Sequence, residues 1–466
     1  MCIRDRADIQ VALDMGCSLF AGEAEDGRID EVLQDAAHRT LAPIYNYMAD
    51  LPALESSPTP YLPPHVLKRT LDHYGSFDAG RGCPYQCSFC TIINVQGRKS
   101  RRRSPDDIEH LIRKHYQQGF RWFFVTDDNF ARNKDWEAIF DRIIELRERA
   151  GIAIKMVIQV DTLCHKIPNF IEKSARAGVR KVFLGLENIN PANLLAAKKR
   201  QNKITEYRTM ILAWQQAGVI TYAGYILGFP ADTPESIRED IEIIKKELPL
   251  DILEFFCLTP LPGSEDHKVL WQKGIAMDPD MNKYDLEHVV TGHAKMSQEQ
   301  WEGIYDSAWK IFYTPEHIET ILRRAAVFDI GISHLASHLW VFSQAAEIEQ
   351  VHPLQSGLFR CRYRRDRRYG MPIEPVWSFY PKRLWEIVSK HARLAWAYYQ
   401  IDRALRAVRK DPRRHEYMDA ALAPVVDDET ETLEMFTHNE GARNEVVRTR
   451  RIAELTSGAG KSLADA

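Results

Sequence analysis

The residues with the clearest chemistry are three cysteines, Cys83, Cys87 and Cys90, in the stretch Gly80-Arg81-Gly82-Cys83-Pro84-Tyr85-Gln86-Cys87-Ser88-Phe89-Cys90. Three thiolates within eight residues can converge on one centre. Iron–sulfur clusters ordinarily take four cysteines. No fourth lies nearby, so one iron of a [4Fe–4S] cluster held here would stay open to another ligand. Two other readings stand beside this one. A structural zinc site needs a closed fourth ligand, which Cys164, His165 or Cys257 would have to supply although none lies at finger spacing. A Cys-x-x-Cys redox pair of Cys87 and Cys90 would leave Cys83 without a role. The remaining cysteines, Cys2, Cys17, Cys164, Cys257 and Cys361, are scattered. That pattern argues against a secreted disulfide framework and for a metal or redox site in a reducing cytoplasm.

The elements that must carry these cysteines follow a repeated unit from about Tyr74 to Leu258. An amphipathic stretch ends at a glycine, and a β-rich run follows at once. The joins are Gln118-Gly119-Phe120, Ala150-Gly151-Ile152, Ala177-Gly178-Val179 and Ala217-Gly218-Val219. Glycine just past a helix end supplies the left-handed C′ residue. The runs Trp122–Val125, Ile152–Val160, Lys181–Leu186 and Ile220–Leu227 are rich in Val, Ile, Phe and Tyr, as strands buried on both faces of a parallel sheet are. Ser104-Pro105-Asp106-Asp107 and Thr233-Pro234-Glu235 mark helix starts by cap, proline and dipole. Shorter strands near Gly75–Ala79 and Asp251–Leu258 bring the count to about six β/α units. Such alternation means an α/β fold, either a partial (β/α)6 TIM-like barrel or an open doubly wound sheet, and periodicity does not choose between them. Either way the cysteine loop follows the first strand at its carboxyl end, the face where such folds gather their active sites.

Cys-x3-Cys-x2-Cys with an aromatic residue, Phe89, before the last cysteine resembles the signature of the radical S-adenosylmethionine (SAM) superfamily. The resemblance covers roughly residues 75 to 265 and continues at successive strand ends. Thr126-Asp127-Asp128-Asn129-Phe130 stands where the family holds the methionine amino group, often with Gly-Gly-Glu. The departure from that form passes the role to backbone carbonyls and to Asp127 or Asp128. Glu187 stands where the family contacts the ribose or methionine end of SAM. A carboxylate just past a very apolar strand is costly to bury unpaired, so it should have a partner. Gly224-Tyr225-Ile226-Leu227-Gly228 matches Gly-x-Ile-x-Gly, with Gly224, Ile226 and Gly228 expected against adenine. The resemblance implies a partial-barrel fold and a [4Fe–4S] cluster on Cys83, Cys87 and Cys90. It also implies reductive cleavage of SAM to a 5′-deoxyadenosyl radical, with the electron coming from an external low-potential donor.

The flanks suggest a branch of that superfamily. Gly22-Glu23-Ala24-Glu25 and Pro43-Ile44-Tyr45 are similar to the end of the cobalamin-binding domain that precedes many such cores. Gly228-Phe229-Pro230 and Pro260-Leu261-Pro262-Gly263-Ser264 also look like that branch. Residues 1–65, ending in the Pro-rich linker Ser57–Pro64, are too few for a complete Rossmann-like domain, and no Asp-x-His-x-x-Gly lower-ligand motif occurs. They are expected to be a remnant, with cobalamin a property of a longer parent chain truncated at its amino terminus. Residues 66–290 would form the core and 291–466 a mainly helical extension, poorly ordered from about Val425.

The basic stretch Arg360–Arg368 reads either as an anion-binding patch or as a solvated edge strand. The run Arg98–Arg103 reads either as help for an anionic substrate or as a solvated loop. Leu384, Trp385, Val388, Trp396 and Tyr399 recur on a basic helix over Lys382–Lys410, which suits either packing or a membrane interface. With a net charge of -3, no global attraction to nucleic acid or anionic membrane exists, so a nucleic-acid partner is not expected and an RNA-modifying enzyme is the alternative. No run approaches the ~20 apolar residues of a membrane span, and the first six residues lack a signal-peptide core. The expectation is a cytoplasmic enzyme, with peripheral membrane contact left open, acting on a small-molecule or lipid substrate by hydrogen abstraction and C-methylation. A non-catalytic metal-binding homologue is the remaining alternative.

Overall fold

A computed structural model describes residues 6–58, 63, 65, 74–355, 362–367, 370–423 and 433–464. Its centre is a sheet of six strands: β1 (Tyr74–Phe77), β2 (Trp122–Val125), β3 (Lys155–Val160), β4 (Val179–Glu187), β5 (Ile220–Leu227) and β6 (Ile252–Cys257). Each pairs in parallel with the next in sequence. That order decides between the two architectures. A doubly wound sheet reverses its strand order at a switch point. Here nothing reverses, so right-handed crossovers place every connecting helix on one face. The result is the partial (β/α)6 barrel, its two end strands unjoined. The helices Pro105–Gln117 and Pro234–Glu247 begin with capping boxes, Ser104 with Asp107 and Thr233 with Ser236, each with proline in the first turn.

Strand side chains alternate between the two faces. Ala223, Tyr225 and Leu227 of β5 face outward into the main core, and the Tyr225 hydroxyl donates to Asp240 of the helix Pro234–Glu247 at 2.6 Å. Tyr222 turns the other way, its ring 4.8 Å from that of Phe183 and 6.1 Å from that of Phe342. Phe342 belongs to the helix Ile332–Gln344, which crosses the inner face near the amino ends of the strands. From that helix His334 stacks on Trp122 at 5.4 Å and His338 meets the Lys181 ammonium. The carboxyl-terminal third therefore stoppers the lower barrel, and the carboxyl ends of the strands remain for chemistry.

Beside that stopper lies Glu254, fully buried on β6 with the Tyr222 hydroxyl as its neighbour. Burial holds its carboxyl well above the usual range, so it is protonated in the folded protein. Unfolding exposes a carboxyl of ordinary pKa, about 4.3. Above that pH unfolding releases a proton, and stability is lost at about 1.4 kcal/mol per pH unit until the folded pKa is reached. Glu254→Gln is therefore expected to raise Tm relative to wild type by more at pH 8 than at pH 5. Thermal melts showing the same difference at both pH values would refute the assignment.

At the amino terminus the strands Leu19–Ala21 and Ile44–Asn46 pair in parallel, each preceded in the chain by a helix, Arg6–Asp14 and Arg28–His38. The Gly22–Glu25 turn grips the core. Arg81 reaches Glu23 at 2.5 Å and Glu25 at 2.6 Å, and Arg101 pairs with Glu23. Arg102 pairs with Asp135, and Arg103 with Asp78 at 3.1 Å. Of the two readings of the Arg98–Arg103 run, the solvated loop holds for Arg98, Lys99 and Arg102, which are exposed, whereas Arg101 and Arg103 are turned inward and neutralised by the protein's own carboxylates.

The tail also differs from expectation. Residues 425–432 lie outside the described residues, but beyond them come the helices Glu434–Thr437 and Glu440–Ala464, with Met435, Phe436, Ala442 and Val446 buried in the main core. Their apolar side chains dock on the barrel helices where composition suggested disorder. Residues 362–367 form no strand, and there Arg364 donates to the Glu374 carbonyl at 3.0 Å. Arg360, Cys361 and Arg368 lie outside the described residues, as do most of the Pro-rich linker and the first five residues.

Candidate active site

The cysteine loop leaves β1 through a narrow neck. Gly80–Arg81 pairs antiparallel with Arg101–Arg102. Gly82, at φ +98°, sits so close to the returning chain that a Cβ would meet the Lys99 carbonyl oxygen at 2.6 Å. Asp127, at the end of β2, braces this neck by accepting from the Ala79 and Gly80 amides at 2.6 and 2.9 Å and from the Asn133 side chain at 3.3 Å. Burial raises Asp127 to about 7. The far side of the loop is held by the Ser88 amide on the Ala197 carbonyl and the Asp266 amide on the Ser88 carbonyl, at 3.0 and 3.1 Å.

Cys83, Cys87 and Cys90 are half-buried free thiols. Burial pushes the Cys90 thiol to about 11 and raises Cys83, with neighbouring Cys87 adding to both. Three features face them. The Gln201 amide donates to the Cys87 Sγ at 3.5 Å. The buried Lys199 ammonium pairs with Glu187 and lies 5.8 Å from the centre of the Phe89 ring. Burial alone would lower the Lys199 pKa, but Glu187 and then Cys87 hold it above its ordinary value. Asp128, raised to about 6 by burial, has a buried Oδ2 without a hydrogen-bond partner.

Glu187 owes its position to a break in its strand. The β4–β5 register slips between Leu184 and Glu187, and Glu187 takes φ +64°, a conformation uncommon outside glycine. Asn202 pins the turn by donating to the Gly185 and Leu186 carbonyls at 2.8 Å each. The partner that the sequence demanded for Glu187 is thus Lys199, from the loop that also brings Gln201 and Asn202. An apolar wall of Ile226, Ala197 and Phe229 packs with Phe89 beside them.

The other sequence candidates lie around this centre. Asn129 donates to Asp161 at 3.0 Å, and Asp161 also takes Arg132 at 2.6 Å, so Asn129 ties β2 to β3. Thr126 is exposed, and its amide meets the Phe77 carbonyl at 2.8 Å. Gly224 lies between Phe256 and Phe183, where a Cβ would approach them to 3.0 and 3.1 Å. At Gly228, φ +102°, a Cβ would overlap the Trp301 ring at 1.8 Å, so glycine is required there by the protein's own packing.

Three thiols on one loop are a donor set that a cubane can take, each thiolate on a different iron, whereas a tetrahedral zinc would need a fourth protein ligand. The fourth-ligand candidates are engaged elsewhere. Cys164 lies in the main core, His165 meets Glu206 at 3.1 Å, and the Cys257 thiol donates to the Glu287 carbonyl at 3.3 Å.

Comparison with known proteins gives a family for this region. Residues 79–244 match the model of the Radical SAM superfamily. The bacteriochlorophyllide d C-8(2)-methyltransferase of Chlorobaculum tepidum is 28% identical over 224 residues, which cover 45% of this chain and 47% of that protein. The hopanoid C-2 methylase of Rhodopseudomonas palustris is 28% identical over 195 residues, 40% of this chain and 37% of that one. The chain thus spans about half or less of these relatives' length. Among solved structures, the radical SAM methyltransferase TsrM of Kitasatospora setae with cobalamin and a [4Fe–4S] cluster bound aligns over 60% of this chain and 62% of its own, at 16% identity and a TM-score of 0.44.

Proposed function

Because residues 79–244 are a radical SAM superfamily domain, we propose that this chain holds a [4Fe–4S] cluster on Cys83, Cys87 and Cys90 with SAM beside it, and that it serves C-methylation of a small-molecule or lipid substrate. The observation that carries the reading is the meeting, at one strand-end face, of three thiols, the Glu187–Lys199 pair and the unpartnered Asp128 oxygen. Bound together, the cluster and SAM supply a 5′-deoxyadenosyl radical once an external low-potential donor provides an electron. The chain's own residues bind, orient and exclude. Gln201 and Lys199 direct a hydrogen bond and a positive charge at the thiolate side of the site. Asp128 offers an acceptor to the methionine amino group, with the backbone of Thr126 and Asn129 beside it. Glu187 stands at the ribose or methionine end. Phe89, Ile226 and Phe229 keep water from one wall, and Gly224 and Gly228 shape the strand next to it.

The similarity to a bacteriochlorophyllide d methyltransferase and a hopanoid methylase supports transfer to a large, mostly apolar acceptor. Cobalamin does not fit the residues described here. Among the described residues the amino-terminal piece has one pair of three-residue strands and two helices in place of a full sheet. Arg101, Arg102 and Arg103 lend no support to an RNA substrate, since each is paired with one of the protein's own carboxylates. Anaerobic incubation of the reconstituted protein with reductant, cell extract and SAM bearing a trideuterated methyl group should yield a product heavier by that group. Cleavage of SAM with the label retained in methionine alone would overturn the methylation reading and leave the radical chemistry standing.

A further inference from the structure

We infer, on the basis of the cluster proposed above, that the solvent side of the cysteine segment is the docking face for an acidic, low-potential one-electron carrier protein. Two stretches build this face. Residues 83–103 contain the cysteines, and residues 191–203 hold them through the Ala197 carbonyl on Ser88 and the Gln201 amide on Cys87. Neither stretch contains an Asp or a Glu, while together they carry nine Lys and Arg. Arg101, Arg102, Arg103, Lys198, Lys199 and Lys203 each pair with an acid from elsewhere in the chain. The other three, Arg98, Lys99 and Arg200, are exposed, and among the described residues no acid pairs with them.

The backbone places these three charges around the cysteines. Arg98 and Lys99 directly follow Gly97, whose carbonyl accepts from the Cys83 amide at 3.3 Å. Arg200 directly precedes Gln201, whose amide donates to the Cys87 Sγ at 3.5 Å. Unneutralised charge thus flanks the cysteine segment on two sides, and within that segment Pro84 and Gln86 stand exposed. The helix Glu265–Gln272 meets the same segment at Ser88 and adds Lys268, also exposed and unpaired. Of its two acids, Glu265 is taken by Lys198 and Asp266 turns to Ser88.

Position and charge together identify the partner. Electron tunnelling weakens steeply with distance, so a carrier must approach the cysteine segment itself. Contacts between electron carriers are small, and an acidic surface is drawn to unneutralised cations at long range. On docking, the reduced carrier loses one electron and the bound cluster gains it. Single-stranded nucleic acid would use exposed aromatic rings for stacking, but the aromatic residues of the two stretches, Tyr85 and Phe89, are not exposed. Leu195 is their one large exposed apolar side chain, too little to enter a bilayer.

An acidic flavodoxin serves as the probe. On anaerobically reconstituted protein at low salt, Arg98→Glu, Lys99→Glu and Arg200→Glu combined should weaken flavodoxin binding, read by surface plasmon resonance, by about tenfold or more. The rate at which photoreduced flavodoxin bleaches the cluster should fall by a similar factor, and added salt should slow the wild type likewise. Dithionite, which needs no docking face, should reduce both proteins alike. Equal flavodoxin binding and equal rates in the two proteins would overturn the inference. A loss that dithionite shows equally would overturn it too, since the three residues would then support the cluster and not the carrier. So would binding of a polyuridine RNA that the substitutions abolish while flavodoxin is unaffected. Protein that reconstitutes colourless would remove the cluster and this inference together, and that outcome is visible before any carrier is added.

Discussion

Cys87→Ala protein, reconstituted anaerobically, is expected to hold no cubane and to leave SAM intact, whereas the wild type should bind about four irons per chain and cleave SAM under a low-potential reductant. The effect should be total because the loop has no spare ligand. Cys83 and Cys90 are the only other thiols on it, and two ligands do not retain a cluster that three hold with one iron already open. Cys164 and Cys257 cannot replace the lost thiolate. Cys164 lies in the main core, and the Cys257 thiol is turned to the Glu287 carbonyl. Cys164→Ala and Cys257→Ala therefore serve as controls that keep their iron, even where loss of buried volume lowers stability. The Cys87→Ala substitution should also leave the Gln201 amide without its sulfur acceptor while the loop's neck, braced by Asp127, stays folded. Iron content and visible absorbance read the first effect, and circular dichroism the second. A wild-type protein that emerges colourless with one zinc per chain would refute the cluster assignment.

Much of this arrangement was legible because its causes are local. The helix–glycine–strand rhythm, the Ser104 and Thr233 caps and the cysteine spacing are short-range facts, and each recurs in the structure. What escaped notice is contact between distant segments. Lys199-Arg200-Gln201-Asn202 looks like an ordinary solvated loop, yet three of its four residues turn inward onto Glu187, Cys87 and the end of β4. The one available signal was the demand of Glu187 for a buried partner, which names a charge and no position. Gly228 illustrates the converse. Its place in a motif suggested a cofactor, while Trp301 from a later helix fills the space against it. The inward turn of Arg101 and Arg103 escaped notice because their acids, Glu23 and Asp78, lie far off in sequence. The apolar stripe of the helix Val376–Lys410 is periodic in the sequence, but only the fold shows that its buried side chains all lie from Leu394 onward.

Lys199→Met should produce the second large effect, and pairing it with Glu187→Gln separates two explanations. The Lys199 ammonium and the Glu187 carboxylate are both nearly buried, with side-chain exposures of 9% and 12%. Removing one partner strands the other's charge in a medium that solvates it poorly, a loss typically of about 3–5 kcal/mol. The strand end is an unforgiving place for that loss, because Glu187 already holds φ +64°. Lys199→Met should therefore lower Tm by several degrees. In the double variant no uncompensated charge remains, and most of the lost stability should return. If the pair served only to hold the strand end, SAM binding would return with it. Lys199 also sets its charge toward Cys87 and Cys90 and its ammonium beside Phe89, and Gln at position 187 restores neither. The double variant should regain Tm while its affinity for SAM, measured by equilibrium dialysis on reconstituted protein, stays at least tenfold below wild type, about 1.4 kcal/mol. Recovery of both would make the pair a structural brace and remove Glu187 and Lys199 alike from the site.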